Sequence, residues 1–87
     1  MKWAANYDVV MPVSQVAAFQ TAHKRERKAL LRFFDRLAAD PFMTTDWIVR
    51  DENSRDNYQI QVGAHLLTYW SDHAAKEVRI TRLERIE

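Results

Sequence analysis

The sequence predicts an α+β fold of order β-α-α-β-β-β-β, a helical hairpin packed on one face of a twisted antiparallel sheet. Three observations carry this. Residues 22–39 place apolar side chains at helical spacing. The chain beyond Pro41 reads as short strands. Val62-Gly63-Ala64-His65 sits between two of those strands as a hairpin turn. At 87 residues, positions 1–87 are expected to make a single domain with one core. A chain this short buries only about 60–65% of its unfolded surface, so a bound partner would add to its stability.

The elements follow in order. Trp3 to Met11 reads as a strand, with Tyr7, Val9 and Met11 on one face and Pro12 ending it. SQVAAFQ (14–20) reads as a short helix begun by Ser14, with Val16, Ala17 and Phe19 inward. Thr21 then caps a longer helix, Ala22 to Ala39. Its apolar stripe is Leu30, Phe33, Phe34, Leu37 and Ala38, and Lys24, Arg25, Lys28, Arg32 and Arg36 cover the outside. Asp40-Pro41 stops it, because the residue before proline avoids helical geometry. WIVRD (47–51), a turn at ENSRD, YQIQV (58–62), HLLTYWS (65–71), a DHAA loop and KEVRITRLER complete the chain.

Register follows from the turns. A two-residue II′ turn at Gly63-Ala64 sets Val62 opposite His65, Gln61 opposite Leu66, Ile60 opposite Leu67, Gln59 opposite Thr68 and Tyr58 opposite Tyr69. The inner side then holds Tyr58, Ile60, Val62, Leu67 and Tyr69, with His65 at the tip. The outer side holds Gln59, Gln61, Leu66, Thr68 and Trp70. A four-residue DHAA loop sets Trp70 opposite Glu77, which places Val78 and Ile80 inside and Glu77, Arg79 and Thr81 outside. Arg50 opposite Asn57 would put Trp47 and Val49 inside and Ile48 and Arg50 outside. The phase fails after Ile80, where Leu83 falls outside, so a bulge or strand end is expected near Arg82.

Composition narrows the function. With no cysteine, disulfides, thiolate metal sites and a cysteine nucleophile are excluded, and a reducing cytoplasm is the expected compartment. No apolar run approaches the roughly 20 residues that span a bilayer, and MKWAANYDVV lacks the apolar core of a signal peptide. No metal is expected, since the three histidines show no ligand spacing, and a single glycine cannot make a phosphate-binding loop, so no cofactor is expected either. Residues 24–40 hold six basic and three acidic side chains; residues 41–75 hold two basic and five acidic; the last twelve hold four basic and three acidic. Positive charge therefore collects on one helix and the last strand. KRERK (24–28) reads as a solvated helix start, or as a contact for RNA.

An uncovered outer face with arginines, glutamines and one tryptophan is either solvated surface or a binding surface. Arginine and tryptophan are enriched in binding hot spots, and the guanidinium matches phosphate with two parallel donors.

LAADPF after a helix, the YQIQV hairpin and LLTYWSDHAAKEVRITRLERI together resemble the RelE/ParE superfamily of bacterial toxins, over about Tyr7 to Ile86. The resemblance implies the RelE-like fold and a small cytoplasmic toxin held by a cognate antitoxin. In the RelE-like branch it implies entry into the ribosomal A site and growth arrest by mRNA cleavage. There the ribose 2′-hydroxyl attacks the adjacent phosphate without a metal, and basic side chains on the open face stabilise the phosphorane. In the ParE-like branch it implies inhibition of DNA gyrase. The matching strand of RelE carries lysines where this chain has Gln59 and Gln61, and an arginine where it has Leu66. The last strand supplies Arg82 or Arg85, and the sequence ends at Glu87 without a terminal tyrosine.

The candidates for chemistry are therefore Arg79, Arg82, Arg85 and His65. Those for nucleic-acid or partner contact are Arg50, Arg55, Gln59, Gln61, Leu66 and Trp70. Arg79 clamps phosphate, or pairs with Glu77 or an antitoxin carboxylate. His65 is a general acid–base, or a structural histidine at the hairpin tip. His73 beside Asp72 reads as a local turn hydrogen bond. The alternative function is a non-nucleolytic protein that acts by binding gyrase, or a degenerate toxin bound by its antitoxin.

Overall fold

The structure is a computed structural model that describes residues 7–43 and 45–86. Its elements are β1 (Asp8–Val10), α1 (Val13–Thr21), α2 (Lys24–Ala39), β2 (Trp47–Arg50), β3 (Asp56–Val62), β4 (His65–Asp72) and β5 (Glu77–Arg85). The expected order holds. Residues 3–6 of the expected first strand lie outside the described residues.

The five strands lie in the order β1-β5-β4-β3-β2. Four run antiparallel as a meander, and β1 joins β5 in parallel, so the sheet is mixed. A parallel pair needs a long crossover. The helices carry the chain from β1 to the far edge, and the meander brings it back to lie beside β1.

α2 supplies the helical half of the core through Leu30, Phe33 and Leu37. The sheet supplies Leu67, Tyr69, Val78, Ile80 and Leu83. Tyr7, Val9 and Met11 pack against this cluster, as their alternation predicted. Burial pushes the Tyr69 phenol up to about 12, with smaller contributions from Tyr58 and Asp40.

Both helix starts differ from expectation. α1 begins at Val13 after Pro12, which needs no amide there. Its inward residues include Ala18 and Phe19, whereas Ala17 is exposed. Thr21 does not cap α2. Its hydroxyl turns back and donates to the carbonyls of Ala17 and Ala18, closing α1. The N-cap of α2 is His23, whose N–H donates to Glu26 Oε1 at 3.2 Å.

The β3–β4 register is the predicted one, pair for pair from Tyr58–Tyr69 to Val62–His65. Gly63 has φ +61°, while Ala64 has no positive φ, as a II′ turn requires. The other two registers shift. β2 slips by one residue, so Arg50 faces Asp56 and Trp47 faces Gln59. The reason lies in the turn. Asp51 Oδ1 accepts the N–H groups of Asn53 and Arg55, and Ser54 takes φ 59°, so the loop closes one residue earlier than sequence suggested. A one-residue slip exchanges faces. Trp47 and Val49 therefore share the outer side with Gln59, and Ile48 and Arg50 do not.

β5 shifts by two. The loop is His73 to Lys76, with Asp72 opposite Glu77 and Trp70 opposite Arg79. Asp72 Oδ1 accepts the Ala75 N–H, and Lys76 adopts φ 56°. A two-residue shift keeps the faces, so Val78 and Ile80 stay inside and Arg79 outside. Tyr69 faces Ile80 but Thr68 faces Arg82, so Thr81 is the extra residue of a bulge. The bulge returns Leu83 to the core opposite Leu67, and its N–H donates to Gln15 Oε1 of α1 at 2.9 Å.

Candidate functional site

The face of the sheet away from α1 and α2 carries Trp47 and Val49 from β2, Gln59 and Gln61 from β3, and Leu66, Thr68 and Trp70 from β4. β5 adds Arg79, Arg82 and Glu84. A shallow groove of about 390 Å³ crosses it, lined by Val49, Asp51, Asn57, Gln59, Thr68, Thr81 and Arg82.

The bulge decides which arginines share this face. In a regular strand Arg79 and Arg85 would point the same way, and Arg82 the other. Thr81 reverses the phase, so Arg82 joins Arg79 while Arg85 goes to the helix side. There the Arg85 Nη1 donates to both carboxylate oxygens of Glu26, at 2.8 and 3.0 Å. The Arg85 hydrogen bond is the largest of the effects that hold the Glu26 carboxyl below its ordinary value. His65 is buried on that same inner side, opposite Val62 and Arg85. The structure thus puts Arg79 and Arg82 on one face and Arg85 and His65 on the other.

The remaining arginines are held differently. Arg79 Nη2 lies 2.7 Å from Glu77 and its Nε 3.8 Å from Asp72, beside the Trp70 ring. Arg82 lies 3.7 Å from Glu84. Arg55 stacks more closely on the same ring: its guanidinium carbon is 3.9 Å from the Trp70 ring centre. Arg50 pairs with Asp56 at 3.1 Å, outside the open face.

Both glutamines are tied by their amide nitrogens. Gln59 donates to the Thr68 hydroxyl at 3.2 Å, and Gln61 donates to the Gly63 carbonyl at 3.0 Å. Each bond fixes the orientation of its amide on the face and uses one of its two N–H donors. Asp51 contributes a carboxylate to the groove, held below the ordinary aspartate value by the Arg55 N–H first and the Asn57 amide second. Asn57 and Asp51 were missed in the sequence. An aspartate opening a polar turn was the available signal.

A second concavity of about 330 Å³ lies at the loop end of β4. The Tyr7 hydroxyl meets His73 Nδ1 at 2.7 Å, and Phe42 stacks on His73 with ring centres 4.8 Å apart. His73 thus serves tertiary packing, and Asp72 serves the turn without it. Among the described residues no group of three or more acidic or histidine side chains is placed to hold a metal, and no helix is long and apolar enough to cross a membrane.

No protein-family model and no curated protein matches the chain. Solved structures do. A chain of an archaeal RelE–RelB complex from Pyrococcus horikoshii superposes with a TM-score of 0.77 at 23% identity, over 92% of this chain and 94% of that one. The fold is that of the RelE toxins. A chain of the RelBE toxin–antitoxin complex of Mycobacterium tuberculosis gives 0.76 at 20% identity, over 92% and 98%. The isolated Escherichia coli RelE toxin gives 0.77 at 14% identity, over 93% and 85%. The RelE fold therefore accounts for nearly the whole chain.

Proposed function

We propose that this protein is the toxin of a toxin–antitoxin pair and that it arrests growth by cutting mRNA on the ribosome. The observation that carries the reading is that Arg79 and Arg82 lie on the same uncovered face of a RelE fold, Arg79 beside Trp70, on which Arg55 stacks. A ribose 2′-oxygen attacks the adjacent phosphorus, the bond to the 5′-oxygen breaks, and the proton lost from the 2′-oxygen is balanced by one gained at the 5′-oxygen. Negative charge grows on the phosphorane between these events. The guanidinium groups of Arg79, held 2.7 Å from Glu77, and of Arg82 meet that charge. The half-buried Trp70 ring carries the Arg55 guanidinium at 3.9 Å, and a base stacks on it by displacing that group.

The cognate antitoxin covers the same face. Its acidic residues would meet Arg79 and Arg82, and its apolar residues would cover Trp70, Leu66 and Val49. This occupation is competitive with RNA, which is how binding neutralises the toxin. The protein works in the cytoplasm on this reading.

Induction without antitoxin, followed by mapping of mRNA 5′ ends on ribosomes, tests the proposal. Cleavage within translated codons supports it. Arrest with intact message and broken DNA would transfer the activity to gyrase. A second reading rests on Gln59 and Gln61, which carry no charge and each commit one amide N–H to a neighbour within the protein. A face so built suits binding without cleavage. It predicts antitoxin binding with neither cut message nor arrest.

A further inference from the structure

β2 is an outer edge of the sheet, and its three apolar residues stand together in water. Trp47 is 51% exposed, Ile48 64% and Val49 46%. A single exposed apolar residue is ordinary. Three in succession on an edge strand form a template for another strand, because the edge also presents unpaired backbone groups. Natural edges are commonly blunted by lysine, proline or a bulge. Trp47–Arg50 has none of these and pairs with β3 without interruption.

The residues at its ends identify the occupant. Asp46 precedes the strand and Arg50 closes it. When this strand pairs antiparallel with itself about Ile48, Asp46 of one copy lies opposite Arg50 of the other. Trp47 then lies opposite Val49, and Ile48 opposite Ile48. Slipping one residue in one direction sets Asp46 against Asp51; slipping the other way sets Arg50 against Thr45. Only the centred register matches both charges and all three apolar residues. Opposed residues share a side of the sheet, so the pairs make direct contact. Asp46 uses Oδ2 to accept the Gln61 N–H, and Arg50 uses Nε and Nη2 on Asp56. Those bonds leave Asp46 Oδ1 and Arg50 Nη1 to meet across the seam.

We propose that β2 is a self-association edge, on which a second copy of this chain pairs antiparallel about Ile48. The product is a ten-stranded sheet with both open faces on the same side, Trp47 and Val49 of each copy at their junction. This assembly does not depend on the target of the toxin.

Sedimentation of the free chain from low micromolar to near-millimolar concentration should show a reversible dimer. Ile48→Glu should be monomeric throughout with unchanged far-ultraviolet circular dichroism. Asp46→Arg and Arg50→Asp should each weaken self-association about tenfold or more, since each sets like charges in opposition twice. Mixed in equal amounts, those two variants should form a heterodimer. One then carries only arginine at the two seam positions and the other only aspartate, so both facing pairs join opposite charges. A wild-type chain that stays monomeric overturns the proposal. So does failure of the mixed variants to associate while the wild type dimerises. Protection of the β2 amides from hydrogen exchange only on adding an antitoxin would give the edge to that partner and overturn it as well.

Discussion

The two faces of the sheet are built from the same strands and obey different physics. The inner face is closed by α1 and α2, and Leu67, Tyr69, Val78, Ile80 and Leu83 are buried there. On that side the Arg85–Glu26 ion pair ties the end of β5 to the first turn of α2. The outer face is held by side-chain hydrogen bonds and ion pairs between neighbours, Gln59 to Thr68 and Arg79 to Glu77. Removing an inner residue leaves a cavity, whereas removing an outer one leaves the packing intact. The inner face therefore carries stability and leaves the outer free to carry recognition. β5 contributes arginines to both, and the Thr81 bulge decides which arginine serves which.

Leu67→Ala attacks the inner face alone. It should cost about 2–5 kcal/mol in a urea titration, because a fully buried leucine leaves a cavity beneath the sheet.

A pair of arginine variants sharpens the contrast. Arg79→Ala should abolish growth arrest while shifting stability by only about 0–1 kcal/mol, as exposed ion pairs do. Arg85→Ala should do the reverse, lowering the melting temperature and sparing arrest. Full toxicity in a folded Arg79→Ala protein would remove Arg79 from the chemistry.

The smallest effect is read from acid titration. Glu26 has its folded-state value lowered below the unfolded one, so its contribution is present above the unfolded value and lost as pH falls through the folded one. The wild type should lose stability more steeply than Glu26→Gln as pH drops below the ordinary glutamate range. Parallel acid limbs in the two proteins would show that the Arg85 bond adds nothing.

Much of the inner face was legible in the chain. The α2 stripe names its own buried residues, since helical spacing repeats turn after turn. The β3–β4 register follows from Gly63, because one residue free to take positive φ sets every pair behind it. The outer face was legible only where that hairpin extends. Placing Trp47 and Val49 on it required the Asp51 turn, whose side-chain hydrogen bonds shortened the loop by one residue. Ser14 and Thr21 carried the right chemistry for caps, yet Pro12 and His23 took those positions.

By itself the sequence determined the order of elements, the hairpin and the part of the core on α2, β3 and β4, because turn chemistry and apolar period act between near neighbours. It also signalled that β5 must break phase before Leu83. The tertiary structure alone decided that β1 pairs in parallel with β5, that Arg82 rather than Arg85 joins Arg79, and that β2 ends as a bare edge. Those outcomes depend on contacts between residues far apart in the chain, such as the Leu83 amide on Gln15 and Arg85 on Glu26. A local pattern carries no record of a partner at the other end of the chain.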